Sequence, residues 1–161
     1  MTLEGAVTRR FLENVPFDRL DYQPTPLSEP LGRLAVHVTE ILGWWKSVCE
    51  SNQLDFLNFE PRKISTKDEM LCYFDELFAS AKSALSNVKD IEFEQNWSMT
   101  HGDEVLFVLS KKQVARLFCM NHLVHHRAQL GMYLRLLGVV VPATYGPSAD
   151  DDHVILISPV F

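Results

Sequence analysis

The chain has 161 residues, 47% of them apolar, and a formal net charge of −6. That is enough apolar chain for one well-buried domain, and the acidic balance lacks the basic footprint that nucleic acid demands. No apolar run approaches the ~20 residues of a membrane span, and the N-terminal MTLEGAVTRRFLENV has acidic residues and no uninterrupted apolar stretch, so a soluble, unexported, cytoplasmic protein is expected.

Helical periodicity dominates, with short punctuation and no internal repeat. Leu3, Val7 and Phe11 recur every four residues and stop before Asn14-Val15-Pro16, where proline ends the first helix. After DYQPTPLSEP, Ser28 is a candidate cap with Pro30 in the first turn. Leu31, Leu34, Val38, Ile41, Leu42 and Trp45 then carry a second helix to about Cys49. Thr66 and Glu69 form a capping-box pattern ahead of Met70, Phe74, Leu77, Ala81 and Leu85, a third helix ending near Val88. A long linker, residues 89–109, follows; within it Val105 to Leu109 reads equally as a brief strand or as an extended segment over the core. Ser110 opens the fourth helix with a second capping box, and Val114, Leu117, Phe118, Leu123, Leu130, Leu134 and Leu137 carry it to Gly138. Cys49, Cys72 and Cys119 are odd in number, far apart and inside apolar patterns, which suits reduced core thiols rather than disulfides.

The fourth helix holds NHLVHHRAQL, with three of the chain's six histidines inside five positions. Positions four apart lie about 40° apart around a helix and ~6 Å along it, so His122 and His126 share a face suited to two ligands on one metal. His125 lies on the flank of that face, and spacing alone leaves it open as the second ligand. Phe118, Gln129 and Tyr133 fall near the same stripe. One histidine on an apolar face is ordinarily a hydrogen-bonded core residue, but three so close are hard to satisfy separately, whereas one cation serves several at once. Among the remaining histidines, His101 and His153 stand in polar loops and read as solvated. His37 lies between Leu34 and Ile41 in the apolar stripe of the second helix and points into the bundle. A facial set of His37, His122 and His126 is geometrically natural, with nitrogen ligands suiting zinc, nickel or a similar divalent ion. Glu40, nearby on the second helix, reads as solvated rather than as an outer partner.

The segment NHLVHHRAQLGMYLRLLGVVVPATYGPSADD resembles the C-terminal signature of the DinB-like, or damage-inducible, family of small helical bundles. FLENVPFDRLDYQPTPLSEPLGRLAVHVTEILGWW is similar to that family's first two helices, while the middle of the chain matches in helical pattern alone. Carried over residue by residue, the resemblance gives His37, His122 and His126 as the metal triad and His125 as a non-ligand neighbour; Ala128 stands where members often have glycine. It implies an all-α four-helix bundle with up-down-down-up connectivity and a long crossover linker, usually a homodimer. It also implies a divalent metal and, in some relatives, transferase or isomerase chemistry using a low-molecular-weight thiol.

The expected function is therefore a metal-dependent, thiol-dependent S-transferase acting on a small electrophilic substrate, because three neutral ligands leave the ion its charge and an open position. Metal-dependent hydrolysis is the second enzymatic reading. The rival from another class is a non-catalytic metal- or ligand-binding stress-response protein. No Ser-His-Asp order, glycine-rich phosphate loop or paired carboxylate competes. Cys119, three residues before His122, reads as inert packing.

Overall fold

The computed structural model describes residues 1–150; His153 and its loop reading lie outside them. Helix α1 spans Thr2–Glu13, α2 Leu31–Glu50 and α3 Lys67–Asn87. The fourth long helix comes in three continuous pieces: α4 (Lys111–Val114), a π-helical segment (Ala115–Asn121) and α5 (His122–Leu136). Its end is fixed by Gly138, which takes a positive φ of 70° just past the last turn. Both capping boxes form: the Thr66 hydroxyl accepts from Glu69 N–H and the Ser110 hydroxyl from Gln113 N–H, each with the reciprocal side-chain bond. Ser28 does not cap α2. Pro30 occupies that position without a side-chain bond, and Ser28 instead pairs with the Thr25 hydroxyl at 2.9 Å.

The helices pack as α2 against α3 and α5, and α1 against α3 and α5. Val7, Phe11 and Leu12 of α1 meet Leu34, Val38, Ile41 and Leu42 of α2, Phe74 of α3, and Leu123, Leu130 and Leu134 of α5 in one core. At Gly5 a β-carbon would come within 2.2 Å of the Phe78 ring, so any side chain there would displace that ring from its place between α1 and α3. Ala128, the position where glycine was expected to matter, is exposed and needs none.

The all-α expectation needs correction. The chain is mostly helical but carries a three-stranded sheet, ordered β1 (Gln53–Asp55), β2 (Asn96–His101) and β3 (Glu104–Ser110). β2 and β3 pair antiparallel around a two-residue turn in which Gly102, at φ 61°, is the one turn residue with positive φ, the type II′ pattern that Gly-X favours. β1 adds in parallel to β2, and the Asp55 carboxylate accepts from Gly102 N–H and Leu57 N–H, tying the strand to the turn. The linker after α3 is thus a 3₁₀ turn, Asp90–Glu94, followed by the hairpin. Buried Trp97 and Met99 of β2 pack it on the bundle.

Two further expectations fail. Leu117 is exposed, because the π-helical turns after Val114 advance more residues per turn and rotate it out of the stripe, while Cys119 is swung fully inward. Cys72 is exposed on α3, whereas Cys49 and Cys119 are buried as expected. No described helix is long and apolar enough to cross a membrane.

Candidate metal centre

The site is built from two matched stripes. On α2, Arg33, His37, Glu40 and Trp44 follow at steps of four, three and four residues; on α5, His122, His126, Gln129 and Tyr133 repeat the same steps. Packing α2 against α5 sets these faces together, and the histidines meet at the contact. His37 Nε2 and His122 Nε2 stand 3.2 Å apart, and ring centroids are 4.5 Å apart for both His37–His126 and His122–His126. One ring nitrogen from each of the three lies within 4.8 Å of the other two, a cluster that could hold a metal ion. For a tetrahedral ion with nitrogen ligands at ~2.0–2.1 Å, neighbouring nitrogens are about 3.3 Å apart, so the His37–His122 separation already matches.

The protonation chemistry points the same way. Burial, and then the neighbouring histidines, push His37 from 6.5 down to about 4, with Arg33 adding to the effect. Burial likewise takes His122 down to about 4, and His126 is lowered, again by burial first. All three are therefore neutral near pH 7, the form that donates a lone pair to a cation. Gln129 Oε1 accepts from His126 Nδ1–H at 2.7 Å, which fixes the tautomer and leaves Nε2 as the free nitrogen. Two neutral imidazole nitrogens at 3.2 Å must share either a proton or a cation.

Among the described residues Nδ1 of His122 is buried without a partner of ordinary hydrogen-bond geometry, although the Phe118 carbonyl one turn back favours protonation of the ring. In an α-helix that carbonyl would take the His122 backbone N–H; the π-helical turn gives this N–H to Leu117 instead. The same segment presents Phe118 to a line of aromatic rings. Phe107 of β3 stacks on Phe118 at 4.7 Å, Phe118 faces Trp44 at 6.2 Å, and Trp44 meets the His122 ring edge-on at 5.5 Å. The hairpin is thus the apolar backing of the histidine cluster.

On its other side the cluster opens into a pocket of about 550 Å³ lined by His37 and His126 together with Leu34, Gln129, Tyr133, Arg33 and Ser28. Tyr133 donates to the Glu29 carbonyl at 2.8 Å, which holds the 27–29 segment over the pocket. His125, left open by spacing alone, stands outside: it is exposed and lines a separate hollow with Arg116, Asn121 and Tyr145. His101 is exposed on the hairpin, as expected. The solvated reading of Glu40 is wrong. Its carboxylate is buried, accepts from the Arg62 backbone N–H at 2.9 Å, and pairs with Arg33 at 3.1 Å. The i±4 relation of Arg33 to His37 and the i+3 relation of Glu40 to it were available signals for both residues. Cys119 does not join the cluster; burial raises its thiol far above the ordinary range.

Sequence reading missed a second buried polar group altogether. Arg127, only 2% exposed, donates to Glu4 Oε2 at 2.7 Å and to the Thr8 hydroxyl at 3.1 Å, and its other arm reaches the Tyr145 hydroxyl at 2.7 Å. Tyr145 in turn donates to Glu4. This network locks α1, α5 and the segment after α5 together.

No curated protein matches the chain. Among solved structures, a DinB-like protein from Bacillus subtilis superposes with a TM-score of 0.70 at 16% identity, covering 88% of this chain and 92% of that one. A DinB-like protein from Bacillus cereus superposes at 0.66 with 19% identity, covering 89% and 92%. These likenesses establish a shared fold. The DinB family model itself matches residues 2–153, nearly the whole length, and the chain belongs to the DinB family.

Proposed function

We propose that His37, His122 and His126 hold a divalent cation, zinc or nickel, and that the protein is an enzyme transferring a low-molecular-weight thiol to a small electrophilic substrate. The observation that carries this reading is the convergence of three neutral nitrogen donors beside a pocket, with no fourth His, Cys, Asp or Glu joining them among the described residues. Structural zinc sites are closed by four protein ligands, whereas reactive sites keep a position open. When bound, such an ion supplies a Lewis acid that draws a thiol toward thiolate, its nucleophilic form. The chain's own residues supply the rest. Gln129 orients His126, the Trp44–Phe118–Phe107 rings exclude water from behind His122, and Leu34 and Tyr133 wall the space in which a small substrate lies.

Protein purified without an affinity tag should carry close to one divalent ion per chain. Cobalt-substituted protein should develop a sulfur-to-cobalt charge-transfer band with a thiol from a panel of glutathione, bacillithiol, mycothiol and simple thiols. Binding should release a proton and tighten with pH until the free thiol ionises near ~8.5. Metal uptake without thiol binding at millimolar concentration would replace transfer with hydrolysis or with a non-catalytic binding role.

We further propose a cytoplasmic homodimer with up-down-down-up helices. Support for pairing comes from the outer strand β3 and the π-helical segment, which expose Val105, Leu106, Val108 and Leu117; Trp45 is buried and Trp44 half-buried, so neither supplies that surface. Light scattering at micromolar concentration should return twice the chain mass, and a monomer mass would overturn the assembly.

A further inference from the structure

Arg33 lies one helical turn before His37 and lines the same pocket, close enough for its charge to act on both His37 and His126. Its guanidinium is held from behind: Nη1 pairs with Glu40 at 3.1 Å, and the Glu40 side chain, 5% exposed, is itself anchored by the Arg62 backbone N–H. Among the described residues the guanidinium has no other hydrogen-bond partner, so most of its five N–H donors remain unspent, and its side chain lines both this pocket and a neighbouring one with Leu20, Ile64 and Met70. A clamped, partly unspent guanidinium is preorganised for a planar oxyanion, because little side-chain freedom remains to be lost on binding. Glu29, the one acidic residue lining the pocket among the described residues, is exposed.

We propose that this pocket selects a carboxylate-bearing small molecule, with the carboxylate on the free N–H groups of Arg33 and the ligand's donor end toward His37, His122 and His126. This rests on the metal reading of the three histidines. A singly charged carboxylate fits better than a phosphate dianion, since among the described residues Arg33 is the only cationic side chain lining the pocket and already shares its charge with Glu40. Leu34 and Tyr133 provide an apolar wall along which a short linker runs between the two ends.

The test uses zinc-loaded protein and two hydroxamates of similar length, succinic monohydroxamate and butyrohydroxamate, which share a metal-binding head and differ in whether the tail ends in carboxylate or methyl. Calorimetric titration should show the carboxylate-ended compound binding about tenfold tighter or more. Arg33→Gln should abolish that preference while metal content stays unchanged. Arg33→Lys, which keeps the charge and the Glu40 pairing but not the fork, should retain part of it and guards against misfolding of the neutral variant. Equal affinities of both hydroxamates for zinc-loaded protein would overturn the Arg33 assignment alone, as would tighter binding of a phosphonate-ended analogue than of the carboxylate. Failure of the protein to take up zinc would overturn the metal reading, and this inference with it.

Discussion

His126 and Arg127 are neighbours in sequence, yet they enter two buried polar regions of opposite character. Arg127 is partnered by the protein itself, with Glu4, Thr8 and Tyr145 supplying charge and hydrogen bonds. The histidine cluster is not: His37 and His122 face each other with nitrogens 3.2 Å apart, both lowered to about 4, and Nδ1 of His122 has no partner of ordinary hydrogen-bond geometry among the described residues. A fold that partners one group from within and leaves its neighbour short is telling structure from site. Buried polar groups that close on one another cement helices, and those that converge with capacity unspent await something from outside.

The largest effect should come from breaking the closed region. Arg127→Ala removes the cation and leaves the Glu4 carboxylate buried without it, so urea denaturation should register a loss of about 3–5 kcal/mol. Protein that remains folded should still take up metal. Pairing the change with Glu4→Gln should recover part of the loss, since the cost lies in the stranded charge; no recovery in the double variant would mean that packing, not charge, carries Arg127.

Substitutions in the open region should invert that pattern. His37→Ala, His122→Ala and His126→Ala should each abolish stoichiometric metal, while His125→Ala, exposed and outside the cluster, should keep it. Helicity by circular dichroism should survive in all of them, because the apolar stripes carry the fold. Loss of metal in His125→Ala with retention in His126→Ala would exchange the two assignments.

The two regions also differ in how legible they were. His37, His122 and His126 could be read because helical period alone places them on facing stripes, and the resemblance chose between His125 and His126. The boundaries of α1 and α3 and the two capping boxes were legible for the same reason, being set by residues within one turn of each other. The Glu4–Arg127 pair was not, since 123 residues separate its members and no local pattern announces a long-range ion pair. The hairpin was half legible: Gly102 marks a turn, but β2 and β3 show their burial only against the bundle, where Trp97 and Met99 alternate with outward residues. The π-helical segment left no signal either. Its consequence, Leu117 outward and Cys119 inward, is a phase slip that a 3.6-residue count cannot contain.

A smaller and sharper effect is expected at Gln129. Its amide oxygen fixes the His126 tautomer from behind, so Gln129→Leu should leave the fold and the ligand count alone and weaken metal affinity about 10–100-fold, read by competition with a chromophoric chelator. Gln129→Glu, which can still accept that N–H, should lose far less. Unchanged affinity in the leucine variant would show that the ring is oriented by packing alone.

The smallest effect separates the regions by pH in metal-free protein. His37 and His122 have folded values near 4 against 6.5 for the free side chain, so above about pH 6.5 both states are neutral and contribute no slope. Between 6.5 and 4 the unfolded chain takes up protons that the folded one refuses, and stability must fall as pH falls. Below about 4 both states are protonated and these groups add no further slope. The carboxylates with lowered values, Asp55 and Asp150, start from 3.8 and act below this window, so the decline between pH 6.5 and 4 isolates the histidines from them. Urea midpoints measured in chelator across this range should decline in the parent protein and flatten in the His37→Gln, His122→Gln double variant. An equally steep decline in that variant would place the pH sensitivity outside the cluster, and the contrast between an open and a closed polar region would lose its electrostatic basis.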